Sequence, residues 1–353
     1  MLGLRSALLA LIAACAWAGS PASLQAAGDH AFFHENVLGT SLELRIQAVD
    51  DGVARAIESA VLAEIDRLAA IFSNHEESSE FRRWQAAPLG TPFGVSSELR
   101  DLLRASDHWR EVTDGAFDIR AQEYSNLWRS RAKAQARPTD LELAKVANRL
   151  EQPAWRLDGD NLVATRRTDV ALTLDGIAKG EIIERACAAA LSLHPEVGGL
   201  LLNIGGDLRV AGSRPRRVAI ARPGPGADSA EPLAVIEVRN QAVATSGDMH
   251  RGFEIQGRSY SHILDPRTGL PAEQVVSATV VADRSATADA LATSFNVLDP
   301  WRSVQIADAI PDVACLIVTK GGDVVKSRRW FALQRAAAPE NLHQLAAEPR
   351  LQP

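Results

Sequence analysis

Leu42, Leu44, Ile46 and Ala48 alternate with polar neighbours, which predicts a strand with one buried face. The period then lengthens. Val53, Ile57, Val61, Ile65, Leu68 and Phe72 recur at helical spacing until the polar run F-S-N-H-E-E-S-S-E at 72–80, a loop signal. Ser96 is placed to cap a second helix carrying Leu99, Leu102, Leu103 and Trp109, which should end near T-D-G-A-F-D at 113–118, where Asp-Gly favours a turn. Residues 129–149 predict a charged surface helix with a break at Pro138, and 153–172 predict short strands around a D-G-D turn at 158–160. L-D-G-I-A-K-G at 174–180 reads as a strand, glycines and then a helix with Ile182, Ile183, Ala186, Cys187, Ala190 and Leu191 on one side. L-L-L-N-I-G-G-D-L-R-V at 200–210 is fully accounted for as a hairpin turning at Gly205 and Gly206. With strands at 233–238, 275–282 and 313–319 the C-terminal half is β-rich, and the class is α+β, antiparallel sheets flanked by helices.

Residues 1–27 have the pattern of an export signal: Arg5 near the start, an apolar run at 7–14 too short to span a bilayer, then small residues. Two processing routes stay open. I-A-A-C at 12–15 resembles a lipobox, which would make Cys15 a lipidated N-terminus, while 24–27 suits ordinary cleavage near Ala26. The expected product is exported to the periplasm, with the inner membrane reached only through such a lipid. Residues 28–335 form the folded domain in this reading, and the Ala/Pro-rich 336–353 a disordered tail.

A net charge of −6 without a long basic run argues against nucleic acid as the main partner. Cys187 and Cys315 sit in apolar runs and read as small buried hydrophobes. The chemistry crowds between 242 and 297. In a helix over T-A-D-A-L-A-T, 287–293, Asp289 and Thr293 are four apart and share a face with Asn296 nearby, while Leu291, Phe295 and Leu298 take the opposite face. Such a carboxylate and hydroxyl suit a hard cation such as Mg²⁺. They equally suit a helix that turns them to water. Upstream, Gly176 and Gly180 fit neither a Walker A nor a Rossmann spacing.

Eight blocks in one order change the balance: L-G-T (38–40), F-S-N-H-E-E-S-S-E (72–80), D-G-A-F-D (114–118), G-I-A-K-G (176–180), N-I-G-G-D (203–207), A-T-S-G-D (244–248), S-H-I-L-D-P-R-T-G (261–269) and A-D-A-L-A-T (288–293). Together they resemble the ApbE family of FAD:protein FMN transferases, exported enzymes that attach FMN to a threonine hydroxyl of a partner flavoprotein and release AMP. The resemblance implies an ApbE-like fold and a Mg²⁺ site made by the carbonyls of Gly176 and Ala292 with the side chains of Asp289 and Thr293. It implies FAD contacts at Leu38, His75, Ala116, Phe117, Asp118, Thr173, Lys179 and Ile263 or Leu264, Lys179 meeting the pyrophosphate. An imidazole titrates where a base for the acceptor hydroxyl is needed, so His262 is the candidate. A purely structural or phosphate-binding histidine competes with that role, and His75 is the rival base.

Two departures stand out. The family's usual aspartate before I-A-K-G is replaced by Thr173, and Asp175 lies two residues on; in a strand it would keep the same face, displaced by about 6 to 7 Å. Ile119 and Arg120 follow D-G-A-F-D where Pro or Val and then Thr are usual. These leave two other activities open, a FAD carrier without transfer and a Mg²⁺-dependent FAD pyrophosphatase yielding FMN and AMP.

Overall fold

The computed structural model describes residues 28–337 except 49, 160, 196, 225–230 and 248–251. The export and lipobox readings, the tail beyond 337 and Asp248 therefore lie outside the described residues. The chain opens with β1 (Gly28–Val37), β2 (Thr40–Ala48) and α1 (Asp51–Phe72). Then come α2 (Glu80–Ala86), β3 (Pro92–Gly94), α3 (Ser97–Val112), α4 (Gln122–Lys133), α5 (Asp140–Leu150), β4 (Trp155–Leu157), β5 (Val163–Arg166) and α6 (Ala178–Leu193). β6 (Gly199–Ile204), β7 (Asp207–Gly212), β8 (Arg216–Ile220), β9 (Ala234–Val238), β10 (Gln241–Gly247), β11 (Gly252–Ile255), β12 (Arg258–Ser261) and β13 (Val275–Ala282) follow. The last elements are α7 (Ser285–Phe295), α8 (Pro300–Ala309), β14 (Ala314–Thr319), β15 (Val324–Lys326) and α9 (Trp330–Ala336).

One antiparallel sheet, ordered β1-β2-β6-β7-β10-β13-β14-β15, carries the fold. Its strands alternate between two cores, as a two-residue side-chain period requires. Ala278, Val280 and Ala282 of β13 and Cys315 and Ile317 of β14 face the main core with α1, α6 and α7. Val281, Ala314, Leu316 and Val318 point the other way, against Val218, Ile220 and Ile236 of the β8-β9 hairpin and Trp330 of α9. Because both faces are covered, the central strands are mostly apolar, and their polar residues, Arg209 in β7 and Ser277 and Thr279 in β13 among them, are buried. The segment between α1 and α6 adds helices and the small sheet β3-β5-β4, and its Trp84 and Trp128 are wholly buried.

Register brings one set of strand ends together. Leu42 pairs with Ile204, Ile204 with Asp207, Val243 with Leu208, Gly247 with Ser277 and Val275 with Thr319. The β1-β2 turn, the Gly205-Gly206 turn, the end of β10 and the start of β13 therefore lie at the same end of the sheet.

Several expectations need correction. β1 and α2 had no periodic signal strong enough to be read; β1 is held by pairing with β2, and α2 by burial of Phe81 and Trp84. The helix expected over 129–149 is two, α4 and α5, because Thr139 makes a capping box with Glu142 and starts a new helix just past Pro138. No strand precedes G-I-A-K-G: Thr173 and Leu174 lie outside any strand and Asp175 opens a turn. Gly180 lies inside α6 and not before it. The final helix runs to Ala336.

Candidate active site

Helix α7 is buried almost all round, with Ala288, Asp289, Leu291, Ala292, Phe295 and the neighbouring Asn296 each 3 % exposed or less. This overturns the reading in which Asp289 faces water, and it also means that α7 has no polar outer face opposite Leu291. The helix threads between β10, β13 and the start of α6, and Gly180 is what permits the approach. A Cβ there would lie 2.7 Å from the carbonyl carbon of Ser285 and 2.8 Å from Cα of Ala286. At this distance the Gly180 N–H donates to Oδ2 of Asp289 at 3.0 Å. Four residues back, a Cβ on Gly176 would come within 3.3 Å of both Thr293 Oγ1 and Phe117 Cε2. The 176–180 segment thus runs along α7 in the opposite sense, and Gly176, Phe117, Lys179, Asp289 and Thr293 meet at one place.

Around them stands a second group, in which Asp207 is the residue that the sequence left without a role. Lys179 Nζ lies 2.6 Å from Oδ2 of Asp207, the first residue of β7 and 4 % exposed. Oδ1 of Asp207 accepts from the Thr245 N–H at 3.2 Å. Asn296 Nδ2 donates to the carbonyls of Ala292 at 2.8 Å and Ser246 at 3.0 Å, tying the end of α7 to β10. Ser246 Oγ is 3.5 Å from Thr293 Oγ1. The hairpin turn alone accounts for N-I-G-G-D in the sequence. Its remaining signal was an aspartate heading an apolar strand, a place where a charge needs a partner.

Burial pushes the Asp289 carboxyl up to about 7, and the negative charge of Asp207 adds to the rise; Lys179 and the Gly180 N–H oppose it. Asp207 is also raised by burial, against the pull of Lys179 and the Thr245 N–H. Two buried carboxylates thus share one ammonium, an arrangement that favours a further positive charge.

A hard cation fits this place. Asp289 and Thr293 offer carboxylate and hydroxyl oxygens, Gly176 leaves a space beside Thr293 that any side chain would fill, and Oδ1 of Asn296 is buried without a hydrogen-bond partner. No group of three or more His, Cys, Asp or Glu able to hold a metal occurs among the described residues. A cation here would therefore depend on hydroxyl and backbone oxygens and on water, as Mg²⁺ commonly does.

The sequence profile of the ApbE family matches residues 38–317. The chain belongs to the ApbE family. The FAD:protein FMN transferase of Haemophilus influenzae is 29 % identical over 316 residues, covering 83 % of this chain and 88 % of the relative. That of Vibrio cholerae is 31 % identical over 276 residues, covering 74 % and 80 %. The crystal structure of the ApbE protein from Thermotoga maritima superposes with a TM-score of 0.76 at 29 % identity, covering 87 % of this chain and 100 % of that one.

The other residues expected of an ApbE family member are placed less centrally. Leu38, 38 % exposed with φ of 51°, tips the β1-β2 hairpin, whose Thr40 packs on Gly205 next to the Asp207 turn. His75 is exposed, its N–H donating to Ser73 Oγ. Ala116 and Phe117 are buried, and Phe117 is held by its N–H on Thr113 Oγ1. Asp118 is taken up by Arg120, which bonds both its carboxylate oxygens and also the carbonyls of Leu150 and Gln152. The departure at Arg120 thus has a visible effect: it neutralises a buried carboxylate that the resemblance assigned to FAD.

Thr173 donates its N–H to the Ile119 carbonyl, and Asn74 joins the same segment by accepting from the Leu174 N–H and donating to Asp175 Oδ1. Asp175 is exposed in a turn, so the same-face strand argument for it does not apply; its charge still adds to the rise at Asp289. Ile263 and the buried Leu264 follow β12, with Leu264 bridging to Pro271. His262, half-buried, begins this loop. The loop is secured elsewhere: Trp128 Nε1 donates to the Gly269 carbonyl at 2.7 Å. Cys187 and Cys315 are buried and free, and burial pushes each thiol up to about 12.

Proposed function

We propose that this chain transfers the FMN part of FAD to a threonine hydroxyl of a partner flavoprotein, in a Mg²⁺-dependent reaction that releases AMP. The observation that carries the proposal is the contact of α7 with the start of α6, where Asp289 accepts from Gly180 and Thr293 stands beside Gly176. Relatives named FAD:protein FMN transferase supply the reaction class.

In this reading Asp289 and Thr293 hold the cation with the carbonyls of Gly176 and Ala292. When bound, Mg²⁺ neutralises charge on the phosphate oxygens during displacement. Lys179, in the first turn of α6, meets the pyrophosphate with its ammonium, whose charge suits the phosphate oxygens. Phe117 gives the flavin an apolar wall, with Ala116, Thr173, Ile263 and Leu264 around it. His262 takes the proton of the acceptor hydroxyl as the new threonine O–P bond forms, the bond from that phosphorus to the bridging oxygen breaks, and AMP leaves with that oxygen. The export pattern of residues 1–27 supports a periplasmic setting and an exported acceptor; the I-A-A-C run supports an inner-membrane lipid anchor.

The test is incubation with FAD, MgCl₂ and a flavoprotein domain, followed by intact-mass analysis of both proteins and AMP measurement. Transfer yields AMP only as acceptor mass rises by the difference between FAD and AMP, which is FMN less one water. AMP and free FMN without acceptor would identify a pyrophosphatase instead, and neither product a carrier.

A further inference from the structure

We propose that Asp207 is a positioning residue for this reaction: it holds the Lys179 ammonium in the place from which it meets the FAD pyrophosphate. The inference rests on the transferase reading above and assigns a role to a residue that neither the motifs nor the resemblance gave one.

Lysine carries its charge on a flexible four-carbon stem, so an ammonium that must meet a substrate phosphate needs something to fix it. Asp207 is built for that. It follows Gly205 and Gly206, whose φ values of 60° and 95° turn the chain sharply enough to place the carboxylate at the head of β7. It is 4 % exposed, so water does not compete for it. Its two oxygens have separate tasks. Oδ1 accepts from the Thr245 N–H at 3.2 Å and so is fixed by β10; Oδ2 is left for Lys179 Nζ at 2.6 Å. Lys179 itself is 30 % exposed at the side chain, so the ammonium is gripped from the protein side while part of it stays open. The next residue, Gly180, is the one that donates to Asp289. One helical turn is thus secured twice, through a side chain by Asp207 and through the backbone by Asp289. In this way the spacing between the phosphate-binding ammonium and the metal-binding carboxylate is set.

A structural salt bridge would predict the same distances, so the test must read coupling to Lys179. Asp207→Asn keeps the size and the acceptor for Thr245 but weakens the hold on Lys179. FAD affinity, from flavin fluorescence, and the transfer constants kcat and KM are measured for the wild type, Asp207→Asn, Lys179→Met and the double variant, with melting curves for all four. We expect Asp207→Asn to raise the FAD Kd about tenfold, as loss of a charge-assisted bond implies, and the double variant to match Lys179→Met alone. Effects that multiply in the double variant, or an Asp207→Asn enzyme with unchanged Kd and kcat/KM, would overturn the proposal. So would a loss of activity that follows only a fall in melting temperature. Binding reads the positioning role without turnover, so failure of the transferase reading would show in the wild-type transfer assay, and failure of this inference only in the four-variant comparison.

Discussion

Replacing Gly180 with alanine sets two rules against each other. Helix propensity alone says that alanine inside α6 should stabilise by about 1 kcal/mol. The packing of α7 says the reverse, because the new Cβ would sit 2.7 and 2.8 Å from backbone atoms of Ser285 and Ala286, which cannot rotate aside. The Ser285 carbonyl oxygen lies nearer still, so to restore ordinary contact α7 must retreat by about 1 Å, enough to forfeit a good part of the dispersion energy along that seam. Overpacking of this kind costs about 1 to 3 kcal/mol. Weakening the Gly180 N–H bond to a buried carboxylate adds about 1.5 to 3 kcal/mol if it is lost entirely. Set against the propensity gain, the expected net destabilisation is about 1.5 to 5 kcal/mol, the upper end applying if the hydrogen bond is lost.

Urea unfolding followed by circular dichroism should show this as a lowered midpoint at unchanged slope. Gly176→Ala is the control. Its Cβ would meet side-chain atoms of Phe117 and Thr293 at 3.3 Å, and these can yield, so stability should change by less than about 1 kcal/mol while Mg²⁺ binds more weakly. A Gly180→Ala protein with an equal or higher midpoint would refute the tight α6-α7 approach and with it the geometry of the candidate site.

Asp289→Ala should fold yet lose metal-dependent turnover, and wild-type activity at limiting Mg²⁺ would remove α7 from the metal site. Because the Asp289 carboxyl is raised to about 7, the folded metal-free protein holds that proton more tightly than the unfolded chain does. Its stabilising contribution is complete below the ordinary carboxylate range and is lost as pH rises through about 7. Mg²⁺ must displace that proton, so the rise in melting temperature caused by Mg²⁺ should grow as pH increases toward and past 7; an increment constant from pH 5.5 to 8.5, on the order of the windows used in linkage analysis, would contradict this. His262→Asn should leave FAD titration nearly normal while single-turnover FMN transfer falls by about two to four orders of magnitude. A collapse fully explained by weaker FAD binding would take His262 out of the base role.

Much of the framework was legible because it is local. The alternation at 42–48 and the helical period at 53–72 need only the chain's own spacing, and Ser96 caps α3 through Leu99 N, three residues on. Motif order carried the family, since eight short blocks need no knowledge of how they meet. Elements defined by partners were missed: β1 exists by pairing with β2, and α2 is set by the burial of two aromatic residues. The site lies at the same limit. Asp289 could be read as solvent-facing until the sheet closed over α7, and the joining pairs, Gly180 with Asp289 and Asn74 with Asp175, are separated by 109 and 101 residues. Lys179 and Asp207 sit at the heads of α6 and β7, and only the packing of that helix on the sheet brings the two heads together. A sequence states which charges it contains. Their burial and their partners, which decide whether a carboxylate holds a proton, a lysine or a metal, follow from long-range packing that only the folded chain fixes.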